Sequence, residues 1–158
     1  MRIGVYAGSF SPVTKGHVDA IEKAARLVDK LYVVMGVNAE KTYIIPQTAR
    51  LDMLQKAISH VDNAEAVSYS GMMTDFCKEV GATVMIKSIR NALDLQSVID
   101  LCDINESYWN GETVFVVGSK EYRHISSSLV RELGSLGQDF SEYVPTCCVE
   151  EIKKYLAR

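Results

Sequence analysis

Short apolar runs alternate with stretches of helical period along almost the whole chain. Runs rich in β-branched and other apolar residues at 2–6, 31–37, 64–67, 83–87 and 113–117 read as strands. Between them the apolar positions recur every three or four residues. Val18, Ile21, Ala25 and Val28 share one face of a first helix, and Leu51, Leu54, Ile58 and Val61 one face of a second. Met73, Phe76, Cys77 and Val80 do so in a third, and Leu95, Val98, Ile99 and Cys102 in a fourth. From Ser126 onward the chain reads as two short helices, with Pro145 placed to open the last one. Strands alternating with helices predict an α/β protein: a five-stranded parallel sheet with helices on both faces and a helical C-terminus.

No internal repeat, low-complexity tract or linker interrupts this pattern, so residues 1–158 read as one Rossmann-like domain. The composition agrees, with 47% apolar and 23% charged residues. A net charge of −3 without a Lys/Arg cluster argues against a nucleic-acid partner. No apolar stretch approaches the roughly 20 residues a bilayer requires. The first residues lead straight into a strand without the shape of a signal peptide, so a cytoplasmic protein is expected. The four cysteines form no C-x-x-C pair. Cys77 and Cys102 fall on apolar helical faces, and the adjacent Cys147 and Cys148 suit neither a zinc site nor an ordinary disulfide.

In open parallel sheets, ligands sit outside the carboxyl ends of the strands, near the point where strand order reverses. Chemically loaded residues therefore matter most just after strands. After the first run comes Ala7 to His17, where Gly8 permits a tight turn and Gly16 lets a ligand approach a helix start. That helix N-terminus would attract phosphate, and His17 lies in its first turn. Lys41 follows the second run. Lys87, Ser88, Ile89 and Arg90 close the fourth, putting two cations where phosphates could be gripped. After the fifth come Tyr122, Arg123, His124 and Ile125, then Ser126, Ser127 and Ser128. The three serines could cap a helix or present hydroxyls and amides to a polyphosphate. Any one of these segments has an ordinary structural explanation; their convergence on one sheet edge is the argument for a nucleotide site.

Missing motifs narrow the chemistry further. The loop is neither G-x-x-x-x-G-K-[ST] nor G-x-G-x-x-G, and no G-x-S-x-G or H-E-x-x-H occurs. Such a site would work by positioning and charge stabilisation, with no protein-held metal expected.

The T-x-G-H segment at Thr14–His17 and the I-S-S-S-L-V-R-E segment at Ile125–Glu132 together resemble the nucleotidyltransferase superfamily. Within it the whole chain is similar to the bacterial phosphopantetheine adenylyltransferases. The similarity takes in Tyr6–Phe10, Lys41, Met73, Lys87–Arg90 and Ser119–Glu121. The resemblance implies transfer of the adenylyl group of ATP to 4′-phosphopantetheine, giving dephospho-coenzyme A and pyrophosphate. It also implies that Mg²⁺ is carried mainly by the ATP phosphates and that the protein is a homo-oligomer, a hexamer by family habit. His17, Lys41 and Arg90 would be catalytic. Ser9, Phe10, His17, Ser88, Ile89, Arg90 and the Tyr122–Ser128 stretch would hold ATP, and Ser9, Lys41, Met73 and Lys87 the acceptor. The chain departs from the family pattern at Ser11, at Lys87-Ser88, at Val98 and at Arg123-His124. Two alternatives stay open: transfer to another phosphorylated acceptor such as nicotinamide mononucleotide, or from CTP, and a weakly catalytic nucleotide-binding regulator.

Overall fold

The computed structural model describes residues 1–156. Five parallel strands form one sheet: β1 (Ile3–Gly8), β2 (Lys30–Gly36), β3 (Ala64–Tyr69), β4 (Val84–Ile89) and β5 (Glu112–Val117). They lie in the order β3-β2-β1-β4-β5, so the chain reverses its direction of travel between β1 and β4. That reversal opens a crevice beside the carboxyl end of β1, where ligands of such sheets bind. The strands match the expected runs to within two residues at each end.

Side chains alternate across the sheet, and the alternation sorts the helices onto two faces. From β2, Leu31, Val33 and Met35 enter the larger core while Val34 enters the smaller one. The larger core receives α1 (Lys15–Ala25), α2 (Gln47–Ala57), α5 (Ser127–Ser135) and α6 (Val149–Leu156). The smaller receives Phe76 and Cys77 of α3 (Met73–Val80) together with Trp109, whose indole N–H donates to the Ala82 carbonyl at 3.1 Å. Gly81 ends α3 in the left-handed conformation (φ 68°), where a Cβ would be strained.

Four expectations need correction. The first helix stops at Ala25, so Val28 lies beyond it, though still buried in the larger core. The second helix stops at Ala57, so Ile58 and Val61 lie in the following turn; its buried positions are Arg50, Met53, Leu54 and Ala57. Its inner face therefore includes an arginine. The fourth helix, α4 (Ala92–Tyr108), buries none of its residues, and Ile99 stands 46% exposed. Pro145 does not open α6 directly but precedes a 3-10 turn, Thr146–Cys148, that runs into it; a second such turn covers Ser141–Tyr143. Among the described residues no helix is long and apolar enough to cross a membrane.

The C-terminal helix closes the larger core through Ile152 and Leu156, both buried. Ile152→Ala leaves a cavity there and should cost about 2–5 kcal/mol of folding stability, read by urea unfolding. A loss below about 1 kcal/mol would mean that α6 adds little to the core.

Candidate functional site

The crevice holds two adjoining clefts. The first, of about 390 Å³, is walled by Tyr6, Gly8, Thr14, Gly16 and His17 from the first loop and by Ser88 and Arg90 from the end of β4. Asp19, Asp94 and Val98, with Tyr122, Arg123 and Ile125 to Ser128, line the rest of it. The second, of about 520 Å³, is walled by Ser9, Phe10, Ser11, Lys41, Tyr43 and Arg131. His17, Ser127 and Ser128 belong to both walls.

Local sequence explains how His17 comes to stand there. Thr14 is the N-cap of α1 and accepts a hydrogen bond from the His17 backbone N–H (3.3 Å). In return the Thr14 backbone N–H donates to Nδ1 of the His17 ring (3.0 Å). This is a capping box with histidine in the place usually taken by Glu or Gln. A Cβ at Gly16, between them, would lie in ordinary van der Waals contact with the carbonyls of Tyr122 (3.4 Å) and Ile125 (3.5 Å). T-x-G-H is thus a helix start pressed against the 122–125 loop.

The cap also sets the protonation state. An Nδ1 that accepts from a backbone amide carries no hydrogen, so the neutral ring bears its hydrogen on Nε2. Burial, and then the positive charge of Arg90, hold the His17 pKa down at about 4. The imidazole is therefore a neutral Nε2–H donor at physiological pH. The edge of its ring system lies on Phe10, with centroids 5.0 Å apart. Phe10 itself is buried and has φ 48°, a left-handed backbone that costs about 1–2 kcal/mol for an L-residue and turns the loop back over the helix start.

A second helix N-terminus faces the same space. Ser126 caps α5 by accepting from the Leu129 N–H (3.1 Å). The Ser127 hydroxyl donates to the Pro12 carbonyl (2.7 Å), fastening α5 to the first loop. Arg131 donates to the Ser11 carbonyl (2.5 Å) and to the Ser128 hydroxyl (3.2 Å). Ser126 thus fills the capping role expected of the serines, while Ser127 and Ser128 stand in the first turn, where backbone amides lack intrahelical acceptors.

The charges are mostly cationic or neutralised. Arg90 is held by Asp94 through its backbone N–H (2.9 Å), Nε (3.0 Å) and Nη2 (3.4 Å). Burial disfavours the ionised Asp94, but these Arg90 contacts outweigh it and keep the carboxyl below its ordinary range. Asp19 is occupied likewise, accepting from the Ser119 N–H (2.8 Å) and hydroxyl (2.6 Å) and pairing with Lys23 (3.1 Å). Lys41 and Arg131 supply the cations of the second cleft, and Arg123 joins Arg90 in the first.

Of the residues expected at an ATP site, Ile89 and His124 lie in neither wall. Ile89 faces a separate groove of about 170 Å³, and His124 rests edge-on against Tyr143 at 6.0 Å. The acceptor residues are split. Ser9 and Lys41 line the second cleft, whereas Met73 packs with the α3 core and Lys87 lies in neither wall. Strand alternation puts Ser88 beside Tyr6 (hydroxyls 2.9 Å apart) and its neighbour Lys87 on the α3–α4 side, near Cys77 and Cys102. There burial lowers the Lys87 pKa, and among the described residues it has no ion-pair partner. Val98, expected on an apolar core face, is half-buried in the wall of the first cleft.

Arg50 supports the second cleft from behind, and the sequence reading missed it. Almost fully buried, it donates to the carbonyls of Ser9 (2.7 Å) and Ile45 (3.2 Å) and stacks on Tyr43 at 3.9 Å. It thereby ties α2 to the loops that wall the second cleft. An arginine in phase with Met53, Leu54 and Ala57 was the available signal.

A reversed parallel sheet whose crevice gathers two helix N-termini and four cations is the arrangement of a nucleotidyltransferase. The cytidylyltransferase-like family model matches residues 5–133. The likeness to solved structures agrees at the level of fold. A nicotinic acid mononucleotide adenylyltransferase of Plasmodium falciparum superposes with a TM-score of 0.69 at 15% identity, covering 98% of this chain and 95% of that one. Sequence relatives go further. The chain is 42% identical over 154 residues to the phosphopantetheine adenylyltransferase of Streptococcus pneumoniae, with 96% of this chain and 95% of the relative covered. It is 39% identical over 155 residues to that of Streptococcus gordonii (97% and 94% covered), and 38% over 159 residues to that of Bifidobacterium longum (99% and 96%). The chain belongs to the phosphopantetheine adenylyltransferase family.

The ring of His17 provides the test of this electrostatic picture. Its folded pKa lies below the value near 6.5 of an unfolded histidine, so protons favour the unfolded chain between the two. The stability contributed by His17 is complete above about pH 6.5 and is lost as pH falls toward 4. In the ligand-free protein, ring chemical shifts of His17 should stay flat from pH 6 to 8, report the Nε2–H tautomer, and titrate near pH 4. A midpoint near 6.5 would remove the desolvated ring near Arg90 from the account.

Proposed function

We propose that the protein transfers the adenylyl group of ATP to 4′-phosphopantetheine, releasing pyrophosphate and forming dephospho-coenzyme A. The observation that carries this reading is His17 standing in the shared wall of the two clefts. Displacement at the α-phosphorus requires the attacking phosphate and the departing pyrophosphate on opposite sides of one centre. A donor at the junction of two anion-friendly clefts serves that centre. Family membership and near-complete coverage by the named relatives supply the acceptor.

In this reading the first cleft takes ATP, with adenosine toward Tyr122, Arg123 and Val98. The phosphates lie along the α5 amides at Ser127 and Ser128 and by Arg90. The acceptor phosphate approaches over Ser9 and Lys41 of the second cleft, and Lys87, which lies on the α3–α4 side, joins the grip by swinging its flexible side chain over the carboxyl end of β4. Charge builds on the oxygens around the α-phosphorus as the fifth bond forms. The Nε2–H of His17 stabilises the reaction only so far as it binds that state better than bound ATP. Arg90, oriented by Asp94, does the same without having to be ordered first.

Mg²⁺ fits this site as an ion carried by the phosphates, where it would neutralise triphosphate charge. Asp19 and Asp94, the carboxylates facing the first cleft, are already engaged by Ser119 and Lys23 and by Arg90. The same reading takes the enzyme as a cytoplasmic homo-oligomer. Leu93, Ile99, Leu101, Ile104 and Tyr108 of α4, each between 46% and 76% exposed, offer an apolar surface that a second copy would cover.

Pyrophosphate release from ATP and Mg²⁺ should accelerate with phosphopantetheine and not with nicotinamide mononucleotide, and CTP should not replace ATP. Release that ignores phosphopantetheine would sink the reading. His17→Ala should fold normally and bind ATP within a few-fold of wild type, yet lose on the order of 10²–10³ in turnover. Retention of most of its turnover would reduce the T-x-G-H segment to a helix cap.

Lys87 tests the acceptor separately. Lys87→Ala should raise the KM for phosphopantetheine far more than that for ATP. Equal changes in both would take Lys87 out of the acceptor grip and leave that role to Lys41.

A further inference from the structure

Cys147 and Cys148 lie outside the site and have no part in the chemistry above. They occupy the 3-10 turn that leads into α6, on the side of the core formed by α2. Their Sγ atoms are 3.7 Å apart. Cys147 is exposed, whereas Cys148 is buried and donates its thiol hydrogen to the Met53 carbonyl at 3.5 Å. Among the described residues no other two cysteines make such a contact: Cys77 is buried in the smaller core and Cys102 half-buried on α4.

Two touching thiols, one reachable from solvent, suit few partners. Zinc needs about four donors, and among the described residues no group of three or more His, Cys, Asp or Glu side chains is placed to hold a metal. A disulfide would need the sulfurs to close to about 2.05 Å, and an oxidant to take the electrons. A large thiophilic atom that requires only two sulfurs can instead bridge the pair near its existing separation. We propose that Cys147 and Cys148 form a binding site for trivalent organoarsenicals, whose third valence is filled by their own organic group.

The chemistry balances without oxidation. The exposed Cys147 adds its sulfur to the arsenic of an aryl arsenic oxide and its proton to the oxygen. The Cys148 sulfur then displaces that oxygen, which leaves as water with the Cys148 proton. Two As–S bonds replace the two bonds to oxygen, and arsenic stays trivalent. Burial, together with the neighbouring Cys147, pushes the Cys148 thiol up to about 12, so it reacts as a thiol and not as a free thiolate. Its sulfur is already in place once Cys147 has reacted, so the second bond forms intramolecularly and the bridge closes.

The test is intact-mass analysis of the reduced full chain mixed with equimolar phenylarsine oxide, followed by excess glutathione. One adduct should survive the monothiol and be released by 2,3-dimercaptopropanol. Cys147→Ser, a change at an exposed position, should lose the surviving adduct, and a Cys77→Ala/Cys102→Ser variant should keep it. Absence of a glutathione-resistant adduct in the wild type, or its persistence in Cys147→Ser, would overturn the proposal. The readout is mass, so it stands or falls independently of adenylyl transfer.

Discussion

The reciprocal hydrogen bonds between Thr14 and His17 are the constraint around which the site is arranged. A helix start leaves backbone N–H groups without partners, and the usual remedy is a side chain that satisfies them. Here the satisfying side chain is also the one facing the two clefts. Because Nδ1 is committed to the Thr14 amide, the ring cannot rotate freely, its tautomer is set, and its remaining N–H belongs to the crevice. Stability of α1 and orientation of the Nε2–H donor are therefore one interaction. A histidine held only by cleft contacts would have to be ordered at each turnover, at a cost in side-chain entropy that the cap has already met.

The rest of the site supports that helix start from outside. α5 approaches through Ser127 on Pro12 and Arg131 on Ser11, and α2 through Arg50 on Ser9. All three grip backbone carbonyls of the first loop, so the loop is held whatever side chains it carries. Arg50 reaches its carbonyls from a buried position, and among the described residues no carboxylate pairs with it. Burial accordingly lowers its pKa, and stacking on Tyr43 is part of what offsets the cost. The carboxylates that do face the first cleft are spent on Arg90, Lys23 and Ser119. The first cleft therefore presents amide dipoles and guanidinium groups while its carboxylates are already engaged.

Legibility in the sequence followed the range of the interactions. Strands were readable because their apolar runs are local, and the loop chemistry because it follows them directly. The motif segments at Thr14–His17 and Ile125–Glu132 were readable as a pair, although a single one would have been only a capped helix. Arg50 was obscured because the Leu51, Leu54, Ile58 and Val61 phase looked adequate, while the buried phase runs through Arg50, Met53, Leu54 and Ala57. α4 was misjudged for a related reason. Its apolar residues are spread around the helix, and periodicity cannot tell a buried face from an exposed one.

The sequence by itself determined the order and kind of elements, the parallel sheet, and the family, because each depends on local pattern or on motifs read in line. Tertiary structure alone decided which side chains meet. The one-residue alternation of β4 sends Ser88 to the first cleft and Lys87 to the opposite face, a separation invisible to a motif that spans both. Only the folded chain brings Val98 from α4 into the cleft wall and closes Cys147 to within 3.7 Å of Cys148. Such contacts depend on backbone direction and packing across elements far apart in the chain, and a linear pattern carries neither.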